Sequence, residues 1–479
     1  MSVYGLKLLL VTTFSICCFV VINRQLFFVG FGKKTTIFWL LMLPFIFVLS
    51  NELLTLLAAF LLLAFLNRNQ PPAISVAFFI AIVGAVPDWV NYQMSAPGIN
   101  YLLLLSYDKV AVLAVLAPLL GVVYKQSKVP WNITDSLVVS FVVVCTLLTF
   151  REGKITTVMR FFVSNVIIYI IPYFVISRSI LSIKDLRYCS LAFLILAILL
   201  SAVLLMSQVL QVDIYEAFNP RSVGNILREY RGGFLRLSGP AIGVVISFLM
   251  LCGLLSLDIL KRHRLVSPFV FWPLAASFVL CVIFSGSRAG LFGVVMGVGI
   301  YAYFTKLAGA GRVVCCVVLV LLVILEYGFD LTSFFVYEDE YGTFDYRSEL
   351  YKTSWLYLQQ HFLFGSPFYL AGGYFDHLIT GLGIIDIVSA YLQVALRYGF
   401  VGLFFFVSIY LSVIFSLLKI LLSITANSQL ESERVNYIAM YFTFNVVMAF
   451  ILATTSMVSY FPIFMMINLA IGRSLLVVR

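Results

Sequence analysis

Charge is what this chain has least of. Asp, Glu, Lys and Arg together make up 11% of its 479 residues, and 62% are hydrophobic. A soluble protein of this length needs far more charge to cover its surface, so the soluble classes are excluded. Histidine is scarcer still: His263, His361 and His377 are isolated from one another. The eight cysteines (Cys17, Cys18, Cys145, Cys189, Cys252, Cys281, Cys315 and Cys316) all lie inside apolar runs. They form neither a CxxC pattern nor a disulfide framework, and no zinc-type His/Cys set exists. No metal or other cofactor is expected. No internal repeat marks the inverted halves of a transporter. The net charge of +10 comes from basic residues scattered between apolar runs rather than clustered, so no nucleic-acid partner is expected.

The apolar runs are what is there. A spanning helix needs about 20 apolar residues, and such runs recur from end to end. The expected fold class is all-α, a polytopic transmembrane helical bundle of about 14 spans. The first run, MSVYGLKLLLVTTFSICCFVV, has a lysine before an apolar core. It is read as a spanning helix because no small-residue cleavage site follows. Residues 36–66, interrupted by Pro44 and Ser50-Asn51-Glu52, are either a hairpin or one kinked helix. The division expected is 1–211 as N-terminal transmembrane helices and 212–238 as an Arg-rich periplasmic loop. Transmembrane helices follow over 239–329, then a large, partly helical periplasmic loop over 330–384, and C-terminal transmembrane helices over 385–479.

Basic residues set the orientation. Lys125 and Lys128, Arg178, Lys184 and Arg187, the KRHR run at 261–264, Lys306 with Arg312, Lys419 with Arg434, and Arg473 with Arg479 all fall on one side. By the positive-inside rule that side is the cytoplasm. The 330–384 loop then lies outside, and it is acidic, as a translocated loop should be.

Three outer segments carry candidate chemistry. The first is Ser285-Gly286-Ser287-Arg288-Ala289-Gly290, a polar break between two greasy runs. A cation in hydrocarbon costs about 2.5–3.5 kcal/mol even on lenient scales, so Arg288 belongs at a water boundary or in a wet cavity. Gly and Ser beside it leave backbone N–H groups open to an anion. The plainer reading is a tight turn with an interfacial arginine. The second is NPRSVGNILREYRGGFLRLSGP (219–240), with Arg221, Arg228, Arg231 and Arg236 on the side where arginine is disfavoured. Guanidinium binds phosphate through two parallel hydrogen bonds; snorkelling to lipid headgroups is the alternative.

The third runs from 346 to 406. In YRSELYKTSWLYLQQHFLFG, residues Tyr351, Trp355, Leu358 and Phe362 share one helical face. Such a helix rests on the bilayer or acts as a lid over a site, and the two are compatible. In IIDIVSAYLQVALRYGFVGLFFF, residues Asp386, Ser389, Gln393 and Arg397 recur at intervals that put them on one face of a helix. A polar stripe of this kind should face the bundle interior rather than lipid. A structural ion pair with end-capping is the competing account.

SGSRAG between two spans, the outer loop with YRSELYKTSWLYLQQHFLFGS, and IIDIVSAYLQVALRYGFVGL resemble the bacterial O-antigen ligase and polymerase superfamily. EYRGGFLRLSGPAIG is also similar to members of it. The resemblance covers about 219–410; the N-terminal half matches by hydropathy alone. It implies an inverting, metal-independent transfer of glycan from an undecaprenyl-pyrophosphate carrier at the periplasmic face of the inner membrane. By motif match Arg288 would bind the pyrophosphate, with Arg231 or Arg236 and Arg347; Arg228 is a further candidate from the same segment. Asp386 is the candidate base, with Glu349 and His377 as rivals. Many ligases carry His-Asn where this chain has Val388-Ser389. That departure favours a polymerase of O-antigen, capsule or exopolysaccharide repeat units over a ligase acting on lipid A-core. A lipid-linked-glycan flippase or transporter is the alternative from another class; few mid-span charges and a long outer loop count against it. Expected partners are the undecaprenyl-pyrophosphate-linked glycan and membrane lipids. Whether a chain-length regulator binds is left open.

Overall fold

The computed structural model describes residues 3–22, 26, 30–48, 51–96, 99–126, 129–215, 230–231, 234–237, 239, 242–307, 311–315, 317–318, 343–379, 383–423, 429–458 and 460–478. Arg221 and Arg228, and residues 319–329 at the end of the transmembrane stretch expected over 239–329, lie outside them.

The architecture is helical. Helices α1 (Val3–Ile22), α2 (Phe31–Val48), α3 (Glu52–Asn67) and α4 (Pro72–Ile82) lead into a hairpin of β1 (Asn91–Ala96) and β2 (Ile99–Ser106). Then come α5 (Tyr107–Lys125), α6 (Ile133–Thr149), α7 (Ile155–Ser179) and α8 (Ile183–Leu210). A short antiparallel pair, β3 (Tyr230–Arg231) and β4 (Phe234–Leu235), precedes α9 (Gly243–Arg262), α10 (Pro268–Phe284) and α11 (Arg288–Thr305). The chain closes with α12 (Thr343–Gln360), α13 (Ala390–Ser423), α14 (Gln429–Thr454) and α15 (Phe461–Ser474). Among the described residues eight helices are long and apolar enough to cross a membrane, and five shorter apolar helices accompany them. This is a multi-pass, all-α membrane protein.

Local chemistry explains the boundaries. The 36–66 stretch is two helices, because the Asn51 side chain accepts from the Leu53 amide at 2.9 Å and starts α3 afresh. The α5 and α7 helices each contain a wide π-turn, Val112–Leu116 and Val166–Ile170. Each ends two residues before a proline, Pro118 or Pro172, whose ring clashes with the carbonyl four residues back. The hairpin of β1 and β2 was not expected from hydropathy.

The buried centre is α8, whose residues Ala192–Leu204 are buried on all sides. It packs against α9, α4, α1 and α10. A helix that is apolar all round belongs inside a bundle. Glycines on neighbouring helices allow close approach: a methyl at Gly253 would meet the Ala197 side chain at 2.5 Å.

The two ends of the bundle differ. At one end Glu433 binds Arg187 through two bonds of 2.8 and 2.7 Å and lies 3.3 Å from His263. Nearby, Asp258 joins Arg262 and Lys306, each at 3.0 Å. The fully buried Asp135 takes bonds from Tyr173 (2.8 Å) and Arg178 (2.9 Å), with Arg473 at 3.8 Å, and so fastens α6, α7 and α15 together. Arg178, Arg187, Arg262, His263, Lys306 and Arg473 are among the basic residues expected on one side, and they share one end. The candidate residues gather at the other.

Candidate functional site

The polar hairpin sits where the sequence places it, between α10 and α11. Gly286 has φ of 60°, which glycine adopts without strain. Ser287 caps α11, its hydroxyl accepting from the Gly290 amide at 3.1 Å. The hairpin presses against the start of α9. Ser285 and Ser247 hydroxyls are 3.0 Å apart, and a methyl at Gly243 would meet the Ser285 carbonyl at 2.6 Å. Arg288, the first residue of α11, is half-buried at this junction.

Arg236 comes to the same place from another segment. The Leu237 amide donates to the Phe284 carbonyl at 3.1 Å, and the Phe234 and Phe284 rings are 5.2 Å apart. Residues 234–237 therefore run along the hairpin, and Arg236 stands beside it. The Arg231 backbone pairs with Phe234 and so lies next in line.

The helix pair α11 and α14 links this hairpin to Asp386. Phe304 packs on Phe442, Gly293 lies against Ile451, and Phe292 packs on Phe450. The helices are antiparallel. Residues 455–457 follow the end of α14 at Thr454. The Asp386 side chain is hydrogen-bonded to Ser456. The Ala390 amide donates to the Thr455 carbonyl at 2.9 Å, and the Met457 amide to the Gln393 side chain at 3.1 Å. The 455–457 turn thus holds the stretch that carries Asp386.

Asp386 itself is not on a helix. It lies in the extended stretch before α13, and Ser389 precedes the first helical residue, Ala390. The expected polar stripe is therefore split. Gln393 turns to the 455–457 turn. Arg397 binds Glu152 at 2.9 Å and lies over the Phe161 and Tyr398 rings at 5.4 and 5.5 Å. Ser389 is buried, and its hydroxyl accepts from the Leu392 amide at 3.4 Å. The helix starts late because Ser389 can cap it, while Asp386 is held from elsewhere. Tyr346 of α12 donates to the Asp386 carbonyl and accepts from the Asp386 amide, both at 2.9 Å.

Arg347 is the next residue along α12 and acts electrostatically on Asp386. Partial burial pushes the Asp386 carboxyl above its ordinary value, while the Ser456 hydrogen bond and Arg347 pull it back. One turn along α12, Glu349 lies 3.9 Å from His377, both 48% exposed, and Thr353 is 3.2 Å from the same imidazole nitrogen. The three candidate bases thus stand on one small subdomain. Its core is Leu350, Tyr357, Tyr369, Phe375, Leu378, Ile387 and Leu396. No group of three His, Cys, Asp or Glu side chains suited to a metal ion occurs among the described residues.

The subdomain is welded to a break in α13. Gly399, at φ 67° and ψ −165°, interrupts the helix. Such a break strands amides and carbonyls. The Phe400 and Val401 amides donate to the Phe362 and Leu363 carbonyls at 2.8 and 3.1 Å. The Leu396 carbonyl accepts from the Ser366 amide at 2.9 Å. Arg151 completes the set, donating to the Gly365 carbonyl at 2.8 Å and the Arg397 carbonyl at 3.2 Å. Arg151, Glu152, Tyr346 and Ser456 escaped the sequence reading. Arg151-Glu152 carried a signal: a charged pair at the end of an apolar run in a chain poor in charge.

The arrangement is thus a multi-pass helical bundle with Arg236, Arg288 and Arg347 and the carboxylates Glu349 and Asp386 towards one end, where a small subdomain sits. Residues 273–407 match the family model described as O-antigen ligase. The segment begins in α10 and ends in α13, so it contains the hairpin, Asp386 and the helix break. Over those residues the chain is similar to the O-antigen ligase family. No curated protein and no solved structure matches the chain.

Proposed function

We propose that the protein is a polymerase of the bacterial inner membrane, joining undecaprenyl-pyrophosphate-linked repeat units into O-antigen, capsule or exopolysaccharide at the periplasmic face. The observation that supports this is that the Arg288 hairpin opens α11, which packs along α14, while the turn that follows α14 holds the stretch carrying Asp386. The acceptor hydroxyl attacks the anomeric carbon of the donor glycan. The bond from that carbon to the pyrophosphate oxygen breaks with inversion, and the hydroxyl proton passes to a base. Arg288 and Arg236, with Arg231, hold the departing pyrophosphate through charge-assisted hydrogen bonds. Asp386 takes the proton, and Arg347 keeps it ionised. Glu349 of α12 and His377, 3.9 Å from it in a separate turn, are the alternative candidates for the base. The lipid tail stays in the bilayer while the phosphates meet the arginines.

The ligase reading is supported by the description of the matching family model. Val388-Ser389, where many ligases carry His-Asn, favours the polymerase. The test is the purified protein in lipid, given lipid-linked repeat units alone or together with lipid A-core. A ladder of lengthening glycans without lipid A-core supports polymerisation. Transfer only when lipid A-core is present supports ligation and refutes the polymerase.

A further inference from the structure

We infer that the outer subdomain is seated in the membrane surface through an aromatic rim, and that its occupant is the headgroup and upper acyl region of the bilayer. The inference does not rest on the enzymatic reading. Helix α12 packs inward with Leu350, Thr353, Ser354 and Tyr357. The apolar face visible in its sequence points the other way: Trp355 is 61% exposed and Tyr351 is exposed with it, as is Phe362 in the turn just past the helix end. Only Leu358 of that face is half-buried. The turn after the helix continues the rim with Leu363, 55% exposed, and Phe368.

What covers this rim follows from its continuity with a membrane-crossing surface. Beyond the Gly399 break, α13 exposes Phe400, Phe404, Leu411 and Phe415 at helical spacing. On a helix this apolar, that stripe faces lipid. Its upper end is Phe400, and the Phe362 ring lies flat on it, with centroids 5.4 Å apart and planes at 10°. The backbone bonds from Phe400 and Val401 to Phe362 and Leu363 fix the two surfaces as one. A lipid chain running up α13 meets Phe362 next, and then the rim around Trp355. Trp and Tyr settle at this depth because their rings are apolar and their polar ends reach water. Lys352, beside the rim with 69% of its side chain exposed, suits the phosphate level.

The experiment is tryptophan emission of the full-length protein in phospholipid nanodiscs. The chain has five tryptophans, so the Trp355 signal is taken as the difference between wild type and Trp355→Phe. Lipids brominated near the headgroup should remove most of that difference signal relative to unbrominated lipids. Phe368→Trp in the Trp355→Phe background should restore a lipid-quenched signal. Iodide quenching without lipid quenching would mean the rim stands in water and would overturn the inference. Quenching by neither agent would mean that another protein surface covers it, and would overturn it as well.

Discussion

The Tyr346 phenol and the Asp386 backbone form a closed pair of hydrogen bonds, each 2.9 Å long, between the outer helix and the stretch that enters α13. Tyr346→Phe removes both bonds and leaves the Asp386 amide without its partner. Two such bonds contribute about 1–3 kcal/mol together. Glycan transfer should fall several-fold more than protein stability predicts, because the candidate base loses its fixed position. The check is the rate of polymer formation beside the thermal midpoint. A wild-type rate would show that Tyr346 does not position Asp386.

Asp386 gives a pH prediction with a definite sign. Its folded pKa is raised, chiefly by burial. The folded chain therefore holds that proton more tightly than the unfolded chain. The resulting stability is present at low pH and is lost as pH rises through the folded pKa. A base must be ionised, so the acid limb of the rate profile should lie above the ordinary aspartate range. Arg347→Ala removes a lowering influence and should move that limb to still higher pH. Asp386→Asn should abolish transfer while the protein remains folded. If it polymerises normally, Glu349 and His377 are the next candidates.

Arg288 is expected to stabilise the leaving group. Arg288→Ala should slow transfer by about 100-fold or more, the usual loss when one stabilising donor is removed. Arg288→Lys keeps the charge but loses the two-pronged fork, and should remain badly impaired. Unaltered polymer length in an Arg288→Ala strain, at matched protein level, would refute this role.

Gly399 should be intolerant of any side chain. Its φ of 67° with ψ of −165° costs a non-glycine residue about 1–3 kcal/mol. A methyl would also meet the Leu363 carbonyl at 2.4 Å. Gly383 is the control: its φ is 72°, and a methyl there would have nothing within 4 Å. The thermal midpoint of Gly399→Ala should fall well below that of Gly383→Ala. Equal midpoints would mean that the weld between subdomain and helix adds nothing.

Transfer should proceed in EDTA. The arginines can neutralise the phosphates themselves. Purified protein with lipid-linked substrate should keep its rate when divalent ions are chelated. Loss of activity that magnesium or manganese restores would reject the prediction.

Much of this was legible in the sequence because one solvent dominates the outcome. A bilayer forces backbone polar groups to be satisfied within a helix, so runs such as 268–284 and 288–305 have few alternatives. That Arg187, His263 and Lys306 share one end was legible too, and Glu433 and Asp258 gather them there. The Arg288 hairpin was legible as a polar interruption in grease.

The tertiary structure decided which residues meet. Spacing put Asp386 and Arg397 on one face, but Tyr346 and Ser456 hold Asp386 outside the helix, while Glu152 takes Arg397. Those partners lie 40 to 245 residues away in the chain, and no local periodicity encodes such pairings. The break at Gly399 was hidden for the same reason. A glycine inside an apolar run reads as a tolerated helix residue, and only the carbonyls of Phe362 and Leu363, arriving from another segment, make a broken helix the lower-energy state.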